Sequence, residues 1–267
     1  MQPLVFITGA SSGIGQALAL RYHQAGWRLA LVARRAQVMH DWAQQHGLRA
    51  DHYSVFAADV SDDASIIAAA EQCMVSLGLP QVVIANAGIS QGMDTAVRAD
   101  LAVLQRVMAT NVLGLAATFH PFIAPMQAQA HEHGSPHFTL VGIASVAGIR
   151  GLPGHAAYCA SKAAVISYCE SLRGELRGRK GQPGVRVVTL APGYIDTPLT
   201  RKNKYPMPFL MSAEAFANQA FQAIARASAY HVIPVPMGMV AKLLRLLPNA
   251  VFDRLMQNQP RKHRDPT

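Results

Sequence analysis

Tyr158 and Lys162 carry side chains that can move protons, and they stand four positions apart in the stretch AAYCASKAAV. The surrounding alanines favour a helix, on which residues i and i+4 share one face. A phenol ordinarily keeps its proton up to a pH of about 10, and a cation held nearby would lower its pKa. The pair is therefore a candidate proton donor and acceptor, although two surface residues on an Ala-rich helix would give the same pattern.

Apolar runs that alternate with helical segments predict the elements that hold this pair. Strands are expected over residues 4–8, 28–33, 53–57, 81–85, 138–143, 185–190 and 231–235, and helices over 16–25, 41–46, 61–77, 99–121, 155–177 and 212–227. Pro125 is expected to disturb the continuation of the fourth helix. Strands that are apolar on both faces and separated by helices are typical of a covered parallel sheet. The predicted fold class is an α/β, doubly wound, Rossmann-like single domain with about seven strands and helices on both faces.

The composition narrows the class of protein. The chain has 267 residues, of which 51% are hydrophobic and 15% charged, so a sizeable core is possible. The three cysteines, Cys73, Cys159 and Cys169, fit a reducing cytoplasm without a disulfide framework. We expect no secretory signal and no membrane span. The histidine-rich stretch 131–137 is interpreted as a polar connecting loop rather than a metal site.

A glycine-rich turn follows the first predicted strand. In TGASSGIG, the candidate cofactor residues are Gly9, Ser11, Ser12, Gly13, Ile14 and Gly15. Glycines leave the backbone uncovered, so a phosphate can approach N–H groups at the start of the next helix. The turn alone is weak evidence because tight strand–helix turns use glycine without a ligand.

Two arginines follow the second predicted strand. Many dinucleotide sites have an acidic residue there for the adenosine ribose, but this chain has Arg34 and Arg35. A guanidinium suits a 2′-phosphate, and the other interpretation is a solvated basic loop.

The remaining predicted strands also end in polar or small residues. These are Asp59 and Val60, then Asn86, Ala87 and Gly88, then Ser145, and finally Pro192, Gly193, Ile195 and Thr197. Asp59 could accept a hydrogen bond from an adenine amino group or cap the following helix. In a doubly wound sheet, ligands bind beyond the carboxyl ends of the strands, so these residues are expected to meet at one edge.

Taken together, TGASSGIG, Asp59-Val60, the NAG motif at 86–88, TNVLG, Ser145, YCASK and PGYIDTP resemble the short-chain dehydrogenase/reductase family over almost the whole chain. The resemblance implies NADP(H) as the cofactor, given the arginines, and interconversion of a carbonyl with a secondary alcohol. It implies a homodimer or homotetramer, a small-molecule substrate, and no metal or nucleic acid. The alternative class, a non-catalytic dinucleotide sensor, is disfavoured because Ser145, Tyr158 and Lys162 are all present.

The resemblance also implies a role for each residue of the candidate catalytic set. Tyr158 would be the general acid or base, and Lys162 would lower its pKa and hold the nicotinamide ribose. Ser145 would hydrogen-bond the substrate oxygen. Asn111 would help hold a water that links Lys162 to solvent. Ile195 and Thr197 would meet the nicotinamide amide.

The C-terminal segment, residues 237–267, is interpreted as a basic amphipathic extension of the catalytic domain, residues 1–236. The net charge of the chain is +9, and the stretch from Gly238 onward has six Lys/Arg and two Asp. Val240, Leu243, Leu244 and Leu247 form a helical apolar stripe, which Pro248 interrupts. The alternatives are a helix pair that closes the substrate pocket or packs on a second subunit, and an interfacial helix that binds the inner face of an anionic membrane and lipophilic ketones.

Overall fold

The computed structural model describes residues 2–133, 138–178, 184–203 and 205–257. The strands are β1 Leu4–Thr8, β2 Arg28–Ala33, β3 Tyr53–Ala57, β4 Val82–Ala85, β5 Thr139–Ile143, β6 Arg186–Pro192, β7 Ile195–Asp196, β8 Met211–Ser212 and β9 Tyr230–Ile233. The helices are α1 Gly13–Gln24, α2 Ala36–Gln45, α3 Asp63–Leu77, α4 Leu101–Met108, α5 Gly114–His133, α6 Ala156–Glu175, α7 Ala213–Ala225, α8 Val235–Leu246 and α9 Asn249–Met256. Most of the histidine-rich stretch, residues 134–137, lies outside the described residues.

Seven strands form one parallel sheet in the order β3-β2-β1-β4-β5-β6-β9, and every pair of neighbours in it is parallel. The order reverses at β1, from which the chain winds outward in both directions. This is the predicted doubly wound, Rossmann-like domain, and the expectation of fold class is confirmed. The carboxyl ends of all the main strands therefore lie on one edge.

The core lies on both faces of the sheet because successive side chains of a strand point in opposite directions. In β1, Leu4 and Phe6 pack on one side, and Val5 and Ile7 pack on the other. The first side is covered by α3, α5 and α6, and the second by α1, α2 and α7. Both faces of β1 are buried, which explains its uninterrupted apolar sequence.

The helical run from α4 to α5 contains an irregular segment. Residues Ala109–Leu113 between the two helices are π-helical. α4 buries Val103 and Val107 near α6, whereas α5 buries Phe119 and Phe122 against the sheet. Within the run of residues 98–130, the most apolar window of 18 residues has a mean hydropathy of 1.4, which is in the range of a membrane span, and 39% of that window is buried within the fold.

Two predicted helix boundaries are wrong by at least five residues. α2 begins at Ala36 rather than at residue 41, and its N-cap residue, Arg35, makes no side-chain cap bond, so the usual start signal is missing. α5 continues through Pro121 and Pro125 to His133, so Pro125 does not end it. Burial of Phe122, Met126 and other side chains of this helix stabilises it despite the lost backbone hydrogen bonds.

Candidate active site

Two cavities lie at the carboxyl edge of the sheet, and they share a wall that contains Ser145 and Tyr158 together with Gly193, Leu199 and Thr200. The first has a volume of about 680 Å³ and the second about 530 Å³. The first is lined by Lys162 of α6 and by the residues predicted to follow the strands, which are Gly9, Ser11, Ser12, Gly13, Ile14, Arg34, Arg35, Asp59, Val60, Asn86, Ala87, Gly88, Pro192, Gly193, Ile195 and Thr197. Gly15 and Asn111 are the predicted site residues that do not line it.

The glycine-rich turn places an open helix end at the first cavity. Ser12, the N-cap residue of α1, makes no side-chain cap hydrogen bond, and no acidic residue lies in the first turn. The first N–H groups and the positive end of the helix are thus suited to an anion. Gly13 has a φ of +55°, and Gly15 is so close to the carbonyl oxygen of Gly9 that a Cβ there would collide with it. Gly15 therefore serves the packing of the turn.

Asn86 holds this turn in place from the neighbouring strand. Its Nδ2 donates to the carbonyl oxygens of Thr8 and Gly9 at 2.9 and 3.3 Å. Thr8 Oγ1 in turn accepts from the backbone N–H groups of Asn86 and Ala87 at 3.1 and 3.2 Å. The sequence interpretation missed Thr8, which reads as an ordinary buried strand residue.

Opposite charges meet after β2 and β3. Arg34 Nη1 lies 3.8 Å from Asp59 Oδ2, and both side chains remain substantially exposed. Burial acts to raise the pKa of Asp59, but hydrogen bonds from Ser61 and the charge of Arg34 lower it overall. Asp59 does not cap α3, because that N-cap is Asp62, whose carboxylate accepts from the Ser65 N–H. Asp59 lines the first cavity with a carboxylate that Ser61 and Arg34 already contact.

Ser145 and Tyr158 bring proton-exchanging groups to the wall shared by both cavities. Ser145 Oγ accepts from the Ala147 N–H at 3.2 Å and donates to the Pro192 carbonyl at 3.5 Å. Burial raises the pKa of the Tyr158 phenol to about 12, against the opposing effect of a hydrogen bond with Ser145. Tyr158 is therefore protonated at neutral pH, as a general acid must be.

Lys162 lies on the same helix but directs its charge elsewhere. Its Nζ donates to the Ile143 carbonyl oxygen at 2.8 Å and lies 5.8 Å from the centroid of the Tyr158 ring. Burial lowers the pKa of Lys162 to about 8. Burial is the largest influence on the pKa of Tyr158, and the expectation that Lys162 lowers this pKa stays a prediction.

Asn111 lies at the centre of the π-helical segment and is buried. Its Nδ2 donates to the Ile89 carbonyl and to Ser161 Oγ, both at 2.9 Å, and its Oδ1 accepts from the Ile89 N–H at 2.8 Å. The side chain thus joins the loop after β4 to α6, next to Tyr158 and Lys162. Both N–H groups of the Asn111 amide are thus bonded to protein groups. The water relay that the family resemblance implies stays a prediction.

The loop after β6 is held by a residue that the sequence interpretation missed. The single O–H of Thr200 lies within hydrogen-bond distance of the carbonyl oxygens of Ile195 and Thr197, and its Oγ1 accepts from the Thr197 N–H at 3.1 Å. Ile195 and Thr197 are consequently buried at the edge of the first cavity. A hydroxyl three residues after Thr197 is typical of many turns, so spacing alone would not have singled it out.

The second cavity is mainly apolar. Side chains of the last two helices line it, together with Leu152, Tyr194, Tyr205, Pro206 and Pro208. From α8 and α9 come Met237, Val240, Ala241, Leu244, Phe252 and Met256. Met207, Phe209, Leu210 and Met211 do not line it, and Phe209 and Leu210 are about half exposed. The C-terminal helix pair, for which pocket closure was one alternative, forms this wall.

A nicotinamide dinucleotide fits the first cavity by the chemistry of its lining. The open N-terminus of α1 suits a pyrophosphate, and Arg34 suits a further phosphate. Small residues after β4 leave room for a flat ring system. The end of the cavity at Ser145 and Tyr158 is where a reactive ring would face a second compound.

Residues 3–207 match the short chain dehydrogenase family. The chain is 35% identical to an uncharacterized oxidoreductase of Myxococcus xanthus, over 92% of this chain and 93% of that one. It is 31% identical to dehydrogenase/reductase SDR family member 7B of Bos taurus, over 98% of this chain and 82% of that one.

Among solved structures, a short chain dehydrogenase/reductase from Burkholderia phymatum in complex with NAD superposes with a TM-score of 0.79. It is 24% identical and covers 100% of this chain and 98% of its own, so this likeness concerns the fold. The family match and the sequence relatives carry the assignment beyond the fold. The chain belongs to the short-chain dehydrogenase/reductase family and is an NAD(P)-dependent oxidoreductase.

Proposed function

We propose that the chain is an NADPH-dependent carbonyl reductase that interconverts a lipophilic ketone with its secondary alcohol. The observation that carries the proposal is the wall shared by the two cavities, where Ser145 and Tyr158 face both. A nucleotide in the first cavity and an apolar carbonyl compound in the second would meet at these two side chains. When bound, the nicotinamide supplies or accepts the hydride.

The protein's own part is to position the substrate and move one proton. Ser145 Oγ hydrogen-bonds the substrate oxygen, where negative charge develops during reduction. Tyr158 gives that oxygen its proton, which its high pKa keeps in place at neutral pH. In the oxidative direction the phenolate of Tyr158 takes the proton of the alcohol. Lys162 and Asn111 hold α6 and the adjoining loop in register for these contacts.

The preference for NADP(H) rests on the residues after β2. Arg34 lines the first cavity with a largely exposed guanidinium, and Arg35 lies beside it. No acidic residue follows β2 to receive a free ribose diol, and a guanidinium pairs well with a 2′-phosphate. Asp59, the nearby carboxylate, is already engaged by Ser61 and Arg34.

Oxidation of NADPH with straight-chain ketones of graded length tests the proposal directly. We expect kcat/KM to rise with chain length, because each added methylene removes apolar surface from water in the second cavity. Replacing NADPH by NADH should lower kcat/KM at least tenfold. The proposal fails if no ketone is turned over, or if kcat/KM does not increase with chain length.

We propose that the enzyme is cytoplasmic and forms a homodimer or homotetramer. We also propose that it contacts the inner face of a membrane. Leu243 and Leu246 on α8 are 63% and 81% exposed, and Lys242 and Arg245 lie on the same helix. Such a helix suits an anionic bilayer, from which sphingoid, steroid or 3-oxoacyl ketones would reach the cavity. Light scattering of the purified chain gives the oligomeric state.

Cosedimentation with anionic vesicles tests the membrane contact. At low salt, wild type should sediment with the vesicles, and Leu243→Glu should reduce the bound fraction severalfold. Val75→Glu is the matched control, because Val75 is 90% exposed on the distant helix α3 and should leave binding unchanged. Failure of wild type to bind, or equal effects of both substitutions, would reject a contact through α8.

A further inference from the structure

The C-terminal end of α8 cannot close itself with backbone hydrogen bonds. The last carbonyls of a helix have no partner inside it, and an N–H just beyond the end often serves them. Here the helix ends at Leu246, its cap residue Leu247 is extended (φ −63°, ψ 138°), and the next residue is Pro248, which has no N–H. Donors for these carbonyls must come from elsewhere in the fold.

Arg150 supplies those donors. Its Nη1 donates to the carbonyl oxygens of Leu244, Leu247 and Arg245, the last two at 2.8 and 3.2 Å. Its Nη2 donates to Asn249 Oδ1 at 3.0 Å, at the start of α9. Among the described residues, these are the side-chain hydrogen bonds that join the two C-terminal helices to the rest of the chain. A positive charge at this position also complements the negative end of the helix.

The same guanidinium packs on an aromatic wall of the second cavity. Arg150 Cζ lies 3.8 Å from the centroid of the Phe252 ring, a cation–π arrangement. The Phe252 side chain is buried and lines the cavity, as does Leu244, whose carbonyl Arg150 binds. One side chain thus holds a residue of each helix.

The loop that carries Arg150 also carries Ser145, a residue of the candidate catalytic set. Arg150 follows Ser145 by five residues, on the loop that contains the 3₁₀ turn Val146–Gly148. α8 packs against this turn. The segment that carries Ser145 and the helices that wall the second cavity are therefore joined through one guanidinium.

We propose that Arg150 is a positioning residue that holds α8 and α9 over the second cavity and thereby sets which substrates the enzyme accepts. The inference rests on the proposed function in that the second cavity takes the ketone. A short ketone can meet Ser145 and Tyr158 without reaching Leu244 or Phe252. A long apolar ketone needs both, so loss of the tether should weaken the binding of long substrates selectively.

Arg150→Met tests this, because it keeps an unbranched apolar stem and removes every donor. For a long-chain ketone, KM should rise at least tenfold with kcat within threefold of wild type. For a short ketone both constants should stay within threefold, and the dissociation constant of NADPH should not change. Arg150→Lys keeps the charge without the planar fork, and it should restore part of the lost affinity.

Hydrogen exchange gives a readout that does not depend on any substrate. In Arg150→Met, amides of residues 235–257 should exchange at least tenfold faster, and those of the central strands should not change. The matched control is Arg226→Met, at the C-terminal end of α7, where the side chain is exposed and makes no hydrogen bond within the described residues. It should leave exchange and kinetics as in wild type.

The proposal is overturned if exchange in 235–257 is unchanged, or if kcat falls equally for short and long ketones. If Arg150→Met does not fold, Asn249→Ala removes one of the four bonds. It should raise the exchange rate and the KM for the long ketone two- to threefold, and no change would reject the tether. If wild type turns over no ketone, the proposed function fails, while the exchange comparison still decides whether Arg150 holds the helices.

Discussion

The two cavities that meet at Ser145 and Tyr158 are lined by different kinds of structural element. The first is walled largely by residues that directly follow strands, and its turn is fixed by bonds such as Asn86 Nδ2 to the Thr8 carbonyl. The second is walled by side chains of loops and of α8 and α9. The sheet determines the geometry of the first, whereas side-chain packing determines that of the second.

This difference separates two kinds of effect. Changes at the shared wall should affect every substrate, and changes in the first cavity should affect the choice of cofactor. Changes in the second should alter the ranking of substrates. Each prediction below can contradict that division or refine it.

The largest effect is expected at the shared wall. Tyr158→Phe removes only the hydroxyl that gives up the proton, so kcat should fall about a thousandfold for short and long ketones alike. The affinity for NADPH, measured by fluorescence titration, should stay within threefold of wild type. A variant that keeps more than a tenth of wild-type kcat would exclude Tyr158 as the general acid.

The next largest effect is expected in the first cavity. Arg34→Asp removes a charge-assisted phosphate contact worth about 1.5–3 kcal/mol and adds a repulsive charge, so kcat/KM with NADPH should fall about 10- to 100-fold. With NADH it should stay level or rise, because a carboxylate can accept from the ribose diol. Steady-state kinetics with both cofactors measure this. A parallel loss with both would show that Arg34 supports the fold and not the choice of cofactor.

A smaller, selective effect is expected in the second cavity. Ala241 on α8 is buried and lines the wall, so Ala241→Phe should fill part of the space. We expect kcat/KM for the longest ketone to fall about tenfold, which is about the binding contribution of one or two methylenes, and that of a short ketone to change little. Ala250→Phe, on the exposed face of α9, is the matched control. Equal loss for both ketones would contradict the division between the cavities.

The smallest effect concerns stability rather than turnover. Burial lowers the pKa of Lys162 from 10.5 to about 8, so between these values the unfolded chain binds more protons than the folded one. The contribution of Lys162 to stability should therefore rise with pH in this window, by about 1–2 kcal/mol from pH 7.5 to 9.5. Urea unfolding of wild type and Lys162→Met measures it, since the variant lacks the group and should not show the rise. Parallel pH profiles would mean that Lys162 is not desolvated as this fold places it.

Most of the first cavity could be predicted because its residues come directly after apolar strands. Arg34 and Asn86, for example, are located as soon as β2 and β4 are recognised, and the parallel topology brings them to one edge. The fold class followed from the same alternation. Gly15 and Asn111 belong to motifs that the sequence analysis identified, but neither residue lines the cavity. Gly15 packs against the Gly9 carbonyl, and Asn111 bridges to Ser161 on α6.

The second cavity could be predicted only in outline. The apolar stripe around Leu244 gave the helix pair, and pocket closure was one of two alternatives. The role of Arg150 could not be inferred, because its partners are backbone carbonyls of residues nearly a hundred positions later. Every residue has a backbone carbonyl, so the sequence does not indicate which carbonyls a distant arginine will bind.

The π-helical segment Ala109–Leu113 has a consequence for how this chain can change in length. Its wider turn holds one more residue than an α-helical turn, and it sets the rotation between α4, which packs near α6, and α5, which packs on the sheet. Each α-helical residue advances the face by about 100°. Removing the extra residue would let the segment close as an α-helical turn, which completes the same rotation, so the buried faces of α4 and α5 would be kept. A further insertion would turn Val103 and Val107, or Phe119 and Phe122, out of the core. The fold should therefore tolerate a single deletion within this segment better than an insertion.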